Sequence, residues 1–175
     1  MRVRKLLCGA SALVCFVCMV MSSAAQDTTQ YIDIRNPFLR KIPLAIPMFK
    51  TVNGGAGEAE YSRKAVELMS GSLDFTGYFK ILDRSAFLFD PQKGGVSATD
   101  INFQNWTVVG AELLITGLFE QSGDNIQMEL RLFDTFKSRQ VLGKRYAGSV
   151  SELRKMVLQL EREIRRAVDD GASGT

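Results

Sequence analysis

Leu113-Leu114-Ile115-Thr116-Gly117-Leu118-Phe119, then Ser122-Gly123-Asp124-Asn125, then Ile126-Gln127-Met128-Glu129-Leu130-Arg131-Leu132-Phe133 is the stretch on which the fold turns. Its first part is a nearly continuous apolar run. Its last part alternates Ile126, Met128, Leu130 and Leu132 with Gln127, Glu129 and Arg131, the period of two that a half-buried strand shows. The Gly-containing link between them reads as a hairpin loop. Val141 to Ala147 then continues the pattern as a third strand of an antiparallel meander.

Upstream, Ile42-Pro43-Leu44-Ala45-Ile46-Pro47-Met48-Phe49 reads as one buried strand, with Pro43 and Pro47 limiting which positions can donate to a ladder. Asn53-Gly54-Gly55 turns the chain into a helix from Glu58 to Leu73, where Tyr61, Ala65, Leu68, Met69 and Leu73 recur at helical spacing and Gly77 supplies a stop. Tyr78 to Asp83 is a second strand, so strand, helix and strand follow in the order of a right-handed parallel crossover. Between Arg84 and Phe103 the periodicity lapses; Thr99 or Asp100 is expected to cap a short helix through Trp106. Downstream, Ser149 and Glu152 fit a capping box ahead of Leu153, Met156, Val157, Leu160, Ile164 and Val168, which share one helix face. The expected fold is therefore α/β (α+β) in two layers, a mixed sheet of about five strands with two long helices packed on one face.

The chain opens with Met1-Arg2-Val3-Arg4-Lys5 and an apolar run from Leu6 to Met21, ending in Ser22-Ser23-Ala24-Ala25. This is the layout of a secretory signal peptide, with small residues where the peptidase cuts after Ala25. An uncleaved anchor is the competing reading, but the run falls short of the roughly 17 to 25 residues that span a bilayer. The expected organisation is a signal peptide at 1–25, an extended segment at 26–40, the α/β domain at 41–168 and a disordered Gly- and Ser-containing tail at 169–175. No membrane insertion is expected after cleavage.

Charge and cysteine partition at the same cut. Of 22 basic and 19 acidic residues, Arg2, Arg4 and Lys5 precede it, leaving 19 of each sign in a nearly neutral mature chain. A nucleic-acid binder needs a surplus of cations on one face, so no nucleic-acid partner is expected. Cys8, Cys15 and Cys18 all lie in the apolar run, each after a bulky residue, which argues against lipidation; Cys15 is the least unsuitable. Histidine is absent throughout. The commonest general base and zinc ligand are thus missing, and neither cofactor nor metal is expected.

Each candidate for chemistry has a plainer reading that fits better. Asn53-Gly54-Gly55-Ala56-Gly57 sits where a phosphate-cradling loop would, yet lacks the lysine and hydroxyl of a P-loop and the full dinucleotide spacing. Asp83-Arg84-Ser85 gathers an acid, a cation and a hydroxyl, but no base activates the serine; a local cap or ion pair is expected. Asp100, Glu112, Glu120 and Asp134 could supply a glycosidase-type carboxylate pair, although strand-end solvation explains Glu112, Glu120 and Asp134. Trp106 reads as a core anchor. Arg154, Lys155, Glu161, Arg162, Arg165 and Arg166 read as a solvated helix face rather than a basic patch.

Several local phrases, in order, carry a family resemblance: Tyr31-Ile32-Asp33-Ile34, the Ile42 to Phe49 strand, Gly77-Tyr78-Phe79-Lys80-Ile81-Leu82-Asp83-Arg84, Trp106 ahead of Gly110-Ala111-Glu112-Leu113-Leu114-Ile115-Thr116-Gly117, and Leu130-Arg131-Leu132-Phe133-Asp134. Together they resemble the amino-terminal domain of the TolB family, soluble periplasmic components of the Tol-Pal system of envelope integrity, cell division and protein import. The resemblance implies a non-enzymatic, monomeric interaction domain that offers a short amino-terminal strand to the membrane-spanning protein TolA. Carried over, that strand is Tyr31, Ile32, Asp33 and Ile34, whose alternation suits pairing with a sheet edge. The family's β-propeller, which binds the lipoprotein Pal, does not follow; a truncated product or a stand-alone relative is expected, and Pal binding is not carried over. Two other readings compete: an accessory factor of outer-membrane assembly or secretion, which would sediment as a ring, and a periplasmic hydrolase using paired carboxylates.

Overall fold

The computed structural model describes residues 40–173 except 89 and 91. The signal peptide and Tyr31 to Ile34 lie outside the described residues.

Strand β1 (Ile42–Ala45) is followed by a two-residue strand β2 (Lys50–Thr51), helix α1 (Ala56–Phe75) and strand β3 (Phe79–Ile81). A short helix α2 (Phe103–Val108) precedes β4 (Leu113–Ser122), β5 (Asn125–Asp134), β6 (Arg139–Ser149) and the long helix α3 (Leu153–Ser173). The sheet order is β3-β1-β4-β5-β6, with β2 also beside β4. β1 runs parallel to both β3 and β4, whereas β4, β5 and β6 form the antiparallel meander. The fold is the expected two-layer mixed sheet with two long helices packed together.

The hairpin register is set by a two-residue turn, Gly123-Asp124, that pairs Ser122 with Asn125. Gly123 there takes a positive φ of 60°, open to glycine at no steric cost. From this turn the alternation places Ile126, Met128, Leu130 and Leu132 in the core with Ile115 and Phe119 of β4. α1 contributes Ala65, Val66, Met69 and Leu73, and α3 contributes Leu153, Met156, Val157, Leu160 and Ile164. The capping box at Ser149 and Glu152 forms as expected, Glu152 Oε2 accepting from Ser149 N at 3.2 Å.

Four local expectations change. The Ile42 to Phe49 strand breaks after Ala45, because Pro47 can donate no ladder bond, and pairing with β4 resumes only at Lys50. The break serves packing: the Phe49 ring sits where a Cβ on Gly117 would approach Phe49 Cδ1 to 2.9 Å and Glu129 O to 2.8 Å, so β4 has no room for a side chain there. The cap of α2 is Asn102, whose Oδ1 accepts from Gln104 N at 3.1 Å, rather than Thr99 or Asp100, which lie in the preceding turn. Glu161 is buried at 7% exposure, covered by its ion pair with Arg165 one turn on, and does not belong to the solvated face. α3 also continues to Ser173, through residues that composition assigns to a disordered tail; half-buried Val168 ties that last stretch to the core.

Candidate functional site

The helices cover one face of the sheet, and the chain from Leu82 to Val109 covers part of the other. There Ala45, Trp106, Ala111, Leu114 and Phe133 form a second, smaller buried cluster. Phe87 meets Trp106 edge-on at 5.0 Å between centroids, and Phe103 meets Phe133 at 5.6 Å. Trp106, 2% exposed, is the anchor expected from sequence.

The candidates for chemistry resolve into structural roles. In the Gly-rich loop, Val52, Asn53 and Gly54 donate their amides to the Glu58 carboxylate at 3.1, 3.0 and 2.8 Å. Glu58 is 3% exposed, so the chain's own carboxylate holds the place a phosphate would take. Asp83 Oδ1 accepts from Ser85 N at 2.9 Å, and this bond holds the Asp83 carboxyl below the usual carboxylate range. Arg84 turns away, donating to Ile46 O at 3.1 Å and to Ser70 Oγ at 3.0 Å. The Asp83-Arg84-Ser85 triplet is therefore a cap and a strut.

The four carboxylates do not converge on one cleft. Glu112 precedes β4, whereas Glu120 lies inside it opposite Gln127 rather than at the expected strand end, eight positions away or roughly 26 Å along an extended strand. Glu112 and Asp134 line one pocket at the β4–β5 end, where Glu112 pairs with Arg40 and Asp134, opposite Leu113, accepts from Lys137 N at 2.9 Å. Asp100 accepts from Thr99 in a separate loop. No group of three or more potential metal ligands occurs among the described residues.

Sequence reasoning misses three features. The first is a cavity of about 120 Å³ beside Trp106, lined by Lys50, Asp100, Asn105 and Thr116. Drug-sized ligand pockets run to roughly 300 Å³ or more, so this space suits a few waters rather than a cofactor. The second is an apolar groove of about 570 Å³ between α1 and α3, flanked by Leu68, Phe75, Val157 and Leu158. Phe75 is 93% exposed there, the kind of surface that marks protein contact. The third is a charged cluster on the open sheet face: Arg145 donates to Glu129 at 2.7 Å, and Arg131 bridges Glu129 to Ser97 Oγ, at 2.6 Å from the latter. Arg145 first, then Arg131, holds the Glu129 carboxyl below its ordinary range against the opposing effect of burial. Only the alternation of Glu129 with Arg131 announces this cluster in the sequence.

A model of the TolB amino-terminal domain matches residues 30–141. The chain belongs to this family. The Tol-Pal system protein TolB of Desulfosudis oleivorans is 41% identical over 152 residues, covering 87% of this chain and 34% of the relative. That of Syntrophus aciditrophicus is 37% identical over 134 residues, covering 77% and 30%. The chain thus spans about a third of the length of these curated TolB relatives. The crystal structure of TolB from Acinetobacter baumannii shares the fold with a TM-score of 0.55 at 19% identity, over 74% of this chain and 28% of that one. Among the described residues no helix is long and apolar enough to cross a membrane.

Proposed function

We propose that this TolB-family chain is an exported, non-enzymatic protein-protein interaction domain of a Tol-Pal system, working in the periplasm as a monomer. One observation carries the reading: the family match begins at residue 30 and so takes in Tyr31 to Ile34. That segment is the strand offered to a TolA-like protein of the inner membrane, pairing its main chain with the edge of the partner's sheet and using alternate side chains for selectivity. The residues with chemical potential in the described body are engaged in caps, struts and strand-end pairs, which supports binding over catalysis. The proposed organisation is a cleaved leader at 1–25, the partner-binding segment within 26–40, and the α/β domain from 41.

Calorimetry of the mature chain against a TolA carboxy-terminal domain tests this. Deleting Gln26 to Arg35 should abolish measurable binding while leaving the thermal unfolding of the α/β domain in place. Unchanged affinity in the deletion would sink the assignment of Tyr31, Ile32, Asp33 and Ile34.

A further inference from the structure

The two edges of the sheet differ. β3 is three residues long, whereas β6 runs eleven residues, from Arg139 to Ser149, and among the described residues has a neighbour only on its β5 side. The hairpin turn determines which β6 groups are free. With Ser122 and Asn125 flanking a two-residue loop, that pair exchanges both main-chain bonds, and the alternation then directs Ile126, Met128, Leu130 and Leu132 toward β6. Their partners Gly148, Tyr146, Lys144 and Leu142 are satisfied from that side. The amide from Val150 to Asp124 O, at 2.9 Å, continues the same even-numbered set. Gly143, Arg145 and Ala147 consequently direct their N–H and C=O groups outward, and all three residues are exposed.

The charge along this edge is one-sided. β6 contains Arg139, Lys144 and Arg145 and no acidic residue, and Arg131 lies on the adjoining strand. Three carboxylates lie beside them: Glu163 pairs with Lys144 at 3.3 Å, Glu129 is shared between Arg131 and Arg145, and Asp134 stands opposite Arg139 in the ladder while pairing with Lys137. Arg139 has no ion-pair partner among the described residues. With Arg131, Lys137, Arg139, Lys144 and Arg145 against Glu129, Asp134 and Glu163, the longest open strand edge among the described residues keeps a basic surplus.

We propose that the outer edge of β6 binds an extended acidic peptide strand from a protein partner by main-chain pairing at Gly143, Arg145 and Ala147. Glutamate or aspartate side chains of that strand would lie against Arg145 on the open face and Lys144 on the helix face, with Arg139 at the far end. This surface is independent of Tyr31 to Ile34, which belongs to the partner's sheet in the reading above.

The test is fluorescence anisotropy of the full chain with a labelled heptapeptide of valine and glutamate whose two central glutamates are adjacent, so that an acid falls on each face of the added strand. Binding should weaken about tenfold when alternate peptide nitrogens are methylated, and about tenfold in Ala147→Pro, which removes an outward N–H but no β5–β6 bond. Arg139→Glu should weaken it about threefold, an effect that shrinks as salt rises. Deleting Gln26 to Arg35 should leave it unchanged. The proposal fails if the peptide does not bind, if the methylated or an all-lysine version binds equally well, or if the deletion removes binding. It also fails if sedimentation shows the chain pairing with itself in a way that Ala147→Pro abolishes, since the edge's occupant would then be a second copy.

Discussion

The two faces of the sheet are covered by different means. On the helix face, α1 and α3 lay periodic apolar stripes over Ile115, Phe119, Ile126, Met128, Leu130 and Leu132, and area removed from water supplies the cohesion. On the opposite face, an aperiodic segment is fastened to the sheet by individual polar hooks. Gln92 Nε2 donates to Phe49 O at 2.9 Å, Lys50 Nζ to Gly94 O at 3.2 Å, and Thr116 Oγ1 to Val96 O at 3.0 Å. The apolar cluster beneath those hooks has only five buried members. A sheet can thus be sealed by pattern on one side and by particular hydrogen bonds on the other, and the second side can loosen while the first holds.

Truncating a member of each face measures the contrast directly. Phe119→Ala, in the fully buried helix-side core, should cost about 4 kcal/mol in urea unfolding, from lost transfer and the cavity left behind. Trp106→Ala should cost less, about 3 kcal/mol, because a smaller cluster under a loop relaxes around the gap. Hydrogen exchange should rise across residues 82–110 in that variant and stay slow in α1 and α3. A Trp106→Ala penalty equal to that of Phe119→Ala, or spread to both helices, would mean that the two faces are one cooperative unit.

The smallest effect belongs to the open part of the second face. Glu129 has its folded pKa below the ordinary 4.5, set first by Arg145 and then by Arg131. A depressed carboxylate adds stability that is fully present above pH 4.5 and is lost as pH falls through the folded value below it. Glu129→Gln should therefore cost at most about 1 kcal/mol at pH 7, given the exposure of Arg145, and should flatten the loss of stability below pH 4.5. An unaltered acid limb would show that the cluster contributes nothing across the open face.

This contrast also explains what was legible in the sequence. Period two in β5, helical spacing in α1 and α3, and the Ser149–Glu152 box all record contacts that repeat along an element, so the helix face could be read residue by residue. The hooks at Gln92, Lys50 and Thr116 join positions 43, 44 and 20 residues away, and no local pattern marks them. Asn102 does not stand out as the cap because Thr99 and Asp100 carry the same chemistry two or three positions earlier. Glu161 reads as solvated in the sequence because its burial depends on Arg165 folding over it, a side-chain choice that helical spacing does not encode. The proposed contact segment, Tyr31 to Ile34, rests on alternation and family resemblance together. The β6 edge was legible as a strand but not as an edge, since only the sheet order shows which side lacks a neighbour.

β4 carries one further consequence, for the order in which the chain assembles. It closes on β5 across two residues, whereas Ala45 of β1 meets Leu114, which is 114 − 45 = 69 positions later. Loop closure over that span is slower and entropically costlier, so the meander can template itself while β1 waits for a place beside β4. In the proposed export, amino-terminus first, β1 emerges ahead of both its partners, β3 and β4, and its β4 side is the later to be filled. Until β4 arrives, β1 can pair only with β3 and keeps one apolar edge open, and Pro43 and Pro47 make that edge a poor template for pairing with other copies.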